Sequence, residues 1–323
     1  MLRIDDHAHF DGDHPDALGL LGRLGLKLLN ICVADEGDGW RSQADAYGKL
    51  ARESPERYAW CTSFGVPRPG EAASYADRAI AQLDKDFAAG AVACKVWKNF
   101  GLVLKRQDGA PLMVDDPLLE PIFAHLEKRG KPLVMHIAEP IGCWQPLDEK
   151  NVHRLYYTNN PQYHMYGKAG APSHADLMAA RDRVIERHPR LTVVGAHLGS
   201  MEHDLAGLAA RLDRYPNFAA SLAGRSYDLG FMDRKKVRRF IINYRDRVTF
   251  GSDQGSGSVA EMPAEERKGK IERLEEIWSE EFAYYGTDRE VKFDGHKARG
   301  LALPEDVLEK VFSANARRLY PGL

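Results

Sequence analysis

Four times the chain crosses a short, largely apolar stretch and stops on a side chain able to bind a metal or carry a proton. The stretches end at His7-Ala-His9, Val134-Met-His136, Gly195-Ala-His197 and Phe250-Gly-Ser-Asp253. A fifth, Ala91-Val-Ala-Cys-Lys95-Val-Trp97, ends in a lysine pair completed by Lys98. Segments of helix-like spacing separate them. Apolar runs that end in chemistry and alternate with helices are what a (β/α)8 barrel produces, because its active site is built where the strands end. The spacing predicts an α/β fold, a TIM barrel in which residues far apart in the chain meet at one rim.

Eight strands can be placed, at residues 2–9, 27–33, 58–65, 91–97, 132–137, 191–197, 217–222 and 247–253. Asp13 is a candidate cap for the first helix, and Ser173 with Asp176 comes close to a capping box. Asp108-Gly109 between apolar residues predicts a small hairpin over the barrel mouth. Two departures from the regular alternation stand out. Residues 139–173, after strand 5, form an extended loop without a period, rich in Trp, Tyr, His and Asn, and a loop of that length in a compact domain is usually functional. After strand 8 comes an insertion with a charged helix at 263–285, then a closing helix at 304–320 with Val307, Leu308, Val311, Phe312 and Leu319 on one stripe. Residues 1–323 are read as a single domain.

Composition narrows the partners. A net charge of −2 with no basic block excludes attraction to nucleic acid or to a membrane surface. No run of about 18 apolar residues is present. The four cysteines are scattered, without Cys-x-x-Cys, and three lie in strand-like runs where Cys acts as a small core residue; a reduced, cytoplasmic protein is expected. The partner expected is a small-molecule substrate.

In a strand, alternate side chains share a face, so His7 and His9 present two imidazoles together. With His136 and Asp253 they supply three nitrogens and one carboxylate, enough for a catalytic zinc-type site with an open position. Bound metal would bring the pKa of water towards neutrality, and Asp253 could accept the proton. His197 is the candidate general acid/base. Any one strand-end histidine is more often a hydrogen-bonded core residue; the set together argues otherwise. Lys95 and Lys98 flank Trp97 and read as a cationic grip on a substrate carboxylate, as an ion-paired pair, or, at Lys95, as a carboxylated bridge to a second metal. Arg225 could fork a carboxylate or sit in a structural salt bridge. Glu139 is either a support for His136 or a surface residue. Tyr156, His164 and Tyr166 are candidates for lining the mouth. The remaining histidines, among them His153 and His188, are read as surface residues.

His7-Ala-His9-Phe10, Val134-Met-His136, Gly195-Ala-His197-Leu-Gly-Ser200, Phe250-Gly-Ser-Asp253 and the closing Leu303-Pro-Glu-Asp-Val-Leu segment resemble the amidohydrolase superfamily. More narrowly, they resemble its amidohydrolase-2 branch, which includes aminocarboxymuconate-semialdehyde decarboxylase and related lactonases and hydratases. The resemblance spans nearly the whole barrel. It implies one divalent metal held by His7, His9, His136 and Asp253, commonly zinc, with Mn2+, Co2+ and Fe2+ as alternatives, and His197 as acid/base. Barrels of that branch often pair, so a homodimer is an expectation too. Lys95 stands on strand 4, where binuclear relatives carry a carboxylated lysine, which leaves the metal count open. The leading expectation is a hydrolase of an amide, ester or lactone bond in a small carboxylate-bearing substrate. The alternative is a non-oxidative decarboxylase or a hydratase of an aromatic or enol acid. A barrel holding metal only structurally is the non-enzymatic reading.

Overall fold

The computed structural model describes residues 2–323 except 13, 36, 69–70, 72–73, 258 and 294. Its first eight strands are β1 (Arg3–His9), β2 (Leu26–Ile31), β3 (Tyr58–Ser63), β4 (Ala93–Val96), β5 (Leu133–Met135), β6 (Val193–Gly195), β7 (Phe218–Ser221) and β8 (Val248–Thr249). Consecutive strands pair in parallel all the way round. Helices cover the outer face and side chains fill the inside, so β3 is buried at every position, and the strands read as continuous apolar runs rather than alternating ones. The fold is a TIM barrel.

Closure takes a form the periodicity does not foretell. The run expected as a single strand over 247–253 is split. After β8 the backbone leaves extended geometry, Asp253 adopts φ 61°, and β9 (Gln254–Gly255) then pairs with β1. Three amide bonds stitch this seam: Asp6 N to Phe250 O at 2.9 Å, Asp253 N to His7 O at 2.8 Å and Ser256 N to His9 O at 3.2 Å. The Phe250 amide, turned away from the sheet, donates to Val311 O at 3.0 Å. That carbonyl sits in a π-turn, Lys310–Ala314, inside the closing helix. A π-turn disrupts the regular i→i+4 pattern of carbonyls, and here one of them reaches the barrel.

β6 ends in an equally unusual turn. His197, Leu198, Gly199 and Ser200 all have φ between 56° and 62°. Left-handed geometry costs a non-glycine residue roughly 1–2 kcal/mol, so the surroundings must enforce it. Arg181, 1% exposed on the helix His174–Arg187, donates to Gly199 O and lies over the Phe218 ring. Gly195 admits no side chain, since a Cβ there would meet Gly199 Cα at 2.7 Å.

Elsewhere the local signals operate as expected. Ser173 and Asp176 form a reciprocal capping box. Residues around Asp108-Gly109 make a one-bridge hairpin, Lys105 with Pro111. Asp13 lies outside the described residues, and the helix Pro15–Leu24 is capped by His14. Within residues 139–173 the chain is not featureless: short turns at Ile141–Trp144 and Pro161–Tyr163 flank a helix, Arg154–Asn159. The insertion after the barrel consists of the helix Ala264–Gly286 and a hairpin, β10 (Glu290–Phe293) with β11 (His296–Arg299). No helix among the described residues is long and apolar enough to cross a membrane.

Candidate metal centre and its cleft

β1 delivers His7 and His9 to the seam, and the left-handed residue Asp253 turns its carboxylate back over them. His9 Nε2 is 3.2 Å and His7 Nε2 3.6 Å from Asp253 Oδ1. One ligand atom from each of the three residues falls within 4.8 Å of the others. His7 is buried, whereas Asp253 is 38% and His9 26% exposed, so the group opens towards solvent on one side. Gly224, at φ 61°, lies against Asp253, where a Cβ would come within 3.0 Å of the Asp253 Cβ. Burial works to raise the Asp253 pKa, but the charge of His197 and the hydrogen bond with His9 outweigh it and hold the carboxyl well below its ordinary range.

His136 and His197 stand beside this group rather than in it. His136 faces His197 with ring centroids 4.1 Å apart, and His136 Nδ1 and His197 Nε2 are 3.1 Å apart. The other nitrogen of His197, Nδ1, donates to Ala223 O at 2.7 Å and stands 3.9 Å from Asp253 Oδ2. Both ring nitrogens of His197 are therefore occupied, and burial lowers its pKa to about 3. His136 Nε2 is buried without a protein partner.

Two residues that the sequence reading passed over support the histidines. Asp5 accepts from the His7 amide, from the Ser252 amide and hydroxyl, and from Trp278 Nε1 at 2.9 Å. Asp6 accepts from Ser221 at 2.6 Å and Thr249 at 2.5 Å, with Tyr320 at 3.4 Å. Together they tie β1 to β7, to β8 and to both C-terminal helical elements. Burial, reinforced by the neighbouring Asp5, brings Asp6 up to about 7. The signal was present: two adjacent acids in a strand otherwise headed for the core.

The candidate substrate residues scatter. Lys95 is buried, its Nζ donating to His7 Nε2 at 2.9 Å, and burial lowers its pKa to about 8. Lys98 is ion-paired with Glu139, both side chains 5% exposed or less, and bonds Tyr156 Oη at 3.1 Å. The rings of Tyr163, Trp97 and Tyr156 stand 4.1, 5.4 and 5.6 Å from the Lys98 ammonium. Glu139 is thus buried in a cationic partnership and is not a surface residue. This aromatic-walled ion pair seats the long loop on β4. Arg225 donates to Gly224 O at 3.1 Å and stands 3.5 Å from Asp228 Oδ2. His164 bonds Gln145 O at 2.9 Å and belongs to the loop's own packing, while Tyr166 is 53% exposed beside it.

Arg225 and Asp228 line a cleft of about 490 Å³ together with His153, Tyr156, Asn159, Asn160 and Gly224, rimmed by Val152 and Leu155. Gly224 is its common wall with Asp253. His153, expected at the surface, is bonded through Nε2 to Asp228 Oδ1 at 2.9 Å. His188, also expected outside, is 3% exposed and paired with Glu120.

Two imidazoles and a carboxylate facing solvent suit a divalent cation with positions left open. The unpartnered Nε2 of His136 is a further buried nitrogen, on the ring that faces His197. The donors fit a metal, provided the cation displaces Lys95 from the His7 Nε2 lone pair. His7 and His136 meet the requirement that ligating imidazoles be neutral, since burial drives both pKa values well below normal.

Among curated proteins none matches the sequence. Several solved structures share the fold. A TIM-barrel protein from Bordetella bronchiseptica is 18% identical, with TM-score 0.54, covering 94% of this chain and 80% of its own. A 2,6-dihydroxybenzoate decarboxylase in complex with 2,6-dihydroxybenzoate is 17% identical, TM-score 0.54, covering 98% and 99%. A 4-oxalomesaconate hydratase from Rhodopseudomonas palustris is 12% identical, TM-score 0.54, covering 99% and 96%. The amidohydrolase family profile matches residues 4–322. From β1 to the closing helix, then, the chain belongs to the amidohydrolase family, and it is an enzyme.

Proposed function

We propose that the protein is a metal-dependent hydrolase acting on an amide, ester or lactone carbonyl, with His7, His9 and Asp253 as the core of its metal site and His136 as a further ligand. The observation that carries this reading is the convergence of His7, His9 and Asp253, from the two ends of the barrel sequence, within 4.8 Å on a face open to solvent. A bound divalent cation would polarise the substrate carbonyl and acidify water. The chain's own contribution follows from its geometry. Asp253 is the carboxylate within reach of solvent, so it takes the proton of the attacking water at Oδ. His197 holds a fixed tautomer through Ala223 O and sits beside Asp253 Oδ2, which steadies the carboxylate as it gains that proton. With both nitrogens engaged, His197 acts here by positioning rather than by delivering a proton to substrate.

The test is to load the purified protein with Zn2+ or Mn2+ and offer a panel of lactones, esters, amides and aryl acids. Hydrolysis that disappears on chelation and in Asp253→Ala is the expected result. Release of CO2 without consumption of water would replace the hydrolase reading with the decarboxylase one. Less than one divalent ion per chain after supplementation would end both.

A further inference from the structure

Each cation expected to grip a substrate carboxylate already has a partner. Lys95 donates to His7, Lys98 is ion-paired with Glu139, and Arg225 donates to Gly224 O and stands 3.5 Å from Asp228 Oδ2, its Nε and that Oδ2 being buried without a hydrogen bond among the described residues. Burial works against the charge of Arg225, and the nearby carboxylates, Asp228 first among them, favour it. Of the residues lining the cleft, Arg225 and Asp228 are the charged pair, and they cancel. The remaining lining is uncharged and hydrogen-bonding, from His153, Tyr156, Asn159 and Asn160, with apolar Val152 and Leu155 at the rim. Asp228 takes the Nε2–H of His153, which leaves Nδ1 as an acceptor. Among the described residues nothing hydrogen-bonds to that Nδ1.

We propose that the cleft beside Arg225 binds an uncharged, hydrogen-bond-donating part of the substrate, such as a carboxamide or hydroxyl on an apolar body, and discriminates against a carboxylate there. The donor lies on His153 Nδ1. Asp228 orients that imidazole and repels an anion, while Arg225 keeps Asp228 in place. Like-charge juxtaposition in a half-buried site is how binding surfaces reject a wrong ligand. The inference rests on the cleft being the approach to the His7–His9–Asp253 group, and it names what the proposed hydrolase accepts.

Benzamide and benzoate, equal in shape and different in charge, are the probes. Their binding to the metal-loaded protein is measured by calorimetry, with His153 followed by imidazole NMR. The wild type is expected to bind benzamide about tenfold more tightly than benzoate, with the His153 signal shifting on benzamide. In Asp228→Asn the preference should narrow to near unity as Arg225 is uncovered. A wild type that prefers benzoate with His153 shifted overturns the proposal, as does a His153 signal that neither probe moves, or an unchanged preference in Asp228→Asn. If that variant does not fold, the wild-type preference alone decides. Turnover is not part of this readout, so failure of the hydrolase reading would be seen separately, in the substrate panel.

Discussion

The two sides of the barrel mouth are built differently. On the β1–β9 seam, the residues that meet are held by the backbone: Asp253 bonds the His7 carbonyl through its own amide and takes a left-handed φ of 61°. On the opposite side, between β4 and β7, the wall is held by side-chain charge. Lys98–Glu139 seats the loop, and Arg225, Asp228 and His153 join it to the turn after β7. The first construction ties a ligand cluster to the main chain and leaves little for side chains to vary. The second encloses a volume whose shape and charge depend on a few replaceable residues. Under the functions proposed above, chemistry and selectivity rest on separate structural means.

If that division is right, removing charge from the loop wall should damage stability far more than metal retention. Glu139→Leu leaves the Lys98 ammonium buried without its partner, and is expected to lower unfolding free energy by about 3–5 kcal/mol. Chemical denaturation reads this, and metal content should stay near wild type. Equal loss of metal would mean that the two sides are not separable. Asp253→Ala is the converse: at least about 100-fold weaker metal binding, roughly 3 kcal/mol, with a smaller stability change.

Acid sharpens the comparison further. Burial raises the Glu202 pKa, but the hydrogen bond from His203, the Arg225 charge and the Ile141 amide overcome it and bring it to about 2. A depressed carboxyl stabilises the fold above its unfolded value, and that contribution is lost as pH falls through the folded one. The window is therefore from about 4.5 down to about 2. Wild type should lose on the order of 3 kcal/mol across it and Glu202→Gln much less, followed by denaturation at stepped pH. An identical acid response in the two proteins would remove Glu202 from the account. The smallest effect is expected at the outermost loop contact: His164→Ala, losing a bond to Gln145 O, should cost about 1 kcal/mol and leave metal binding unchanged.

The parts of this architecture that follow a repeating rule could be read from residues alone. Apolar runs placed the eight strands within a few positions, and the chemistry-bearing ends of the first and last did converge. What eluded that reading has no period. Asp5 and Asp6 stand out in the sequence as two adjacent acids in a core-bound strand, but the four elements that support them come together only in the tertiary structure. The four left-handed residues after β6 depend on Arg181 arriving from a preceding helix. His153 and Asp228 are 75 positions apart in chain segments without regular spacing, so their pairing is purely tertiary. Arg225 was legible as a cation near the rim, either a grip on a carboxylate or a salt-bridge residue, but nothing in the sequence named Asp228 as the carboxylate that stands 3.5 Å from it.

The π-turn at Lys310–Ala314 has a consequence for how alterable this enzyme is. A carbonyl reaching from the closing helix to Phe250 places the turn after β8, which carries Asp253, under the control of helical phase. Deleting one residue from that helix to restore uninterrupted i→i+4 bonding would improve the helix by every local criterion, yet it would withdraw the acceptor from the barrel. Any redesign that straightens the helix should therefore be judged at Asp253, some sixty residues upstream, before its melting temperature is believed.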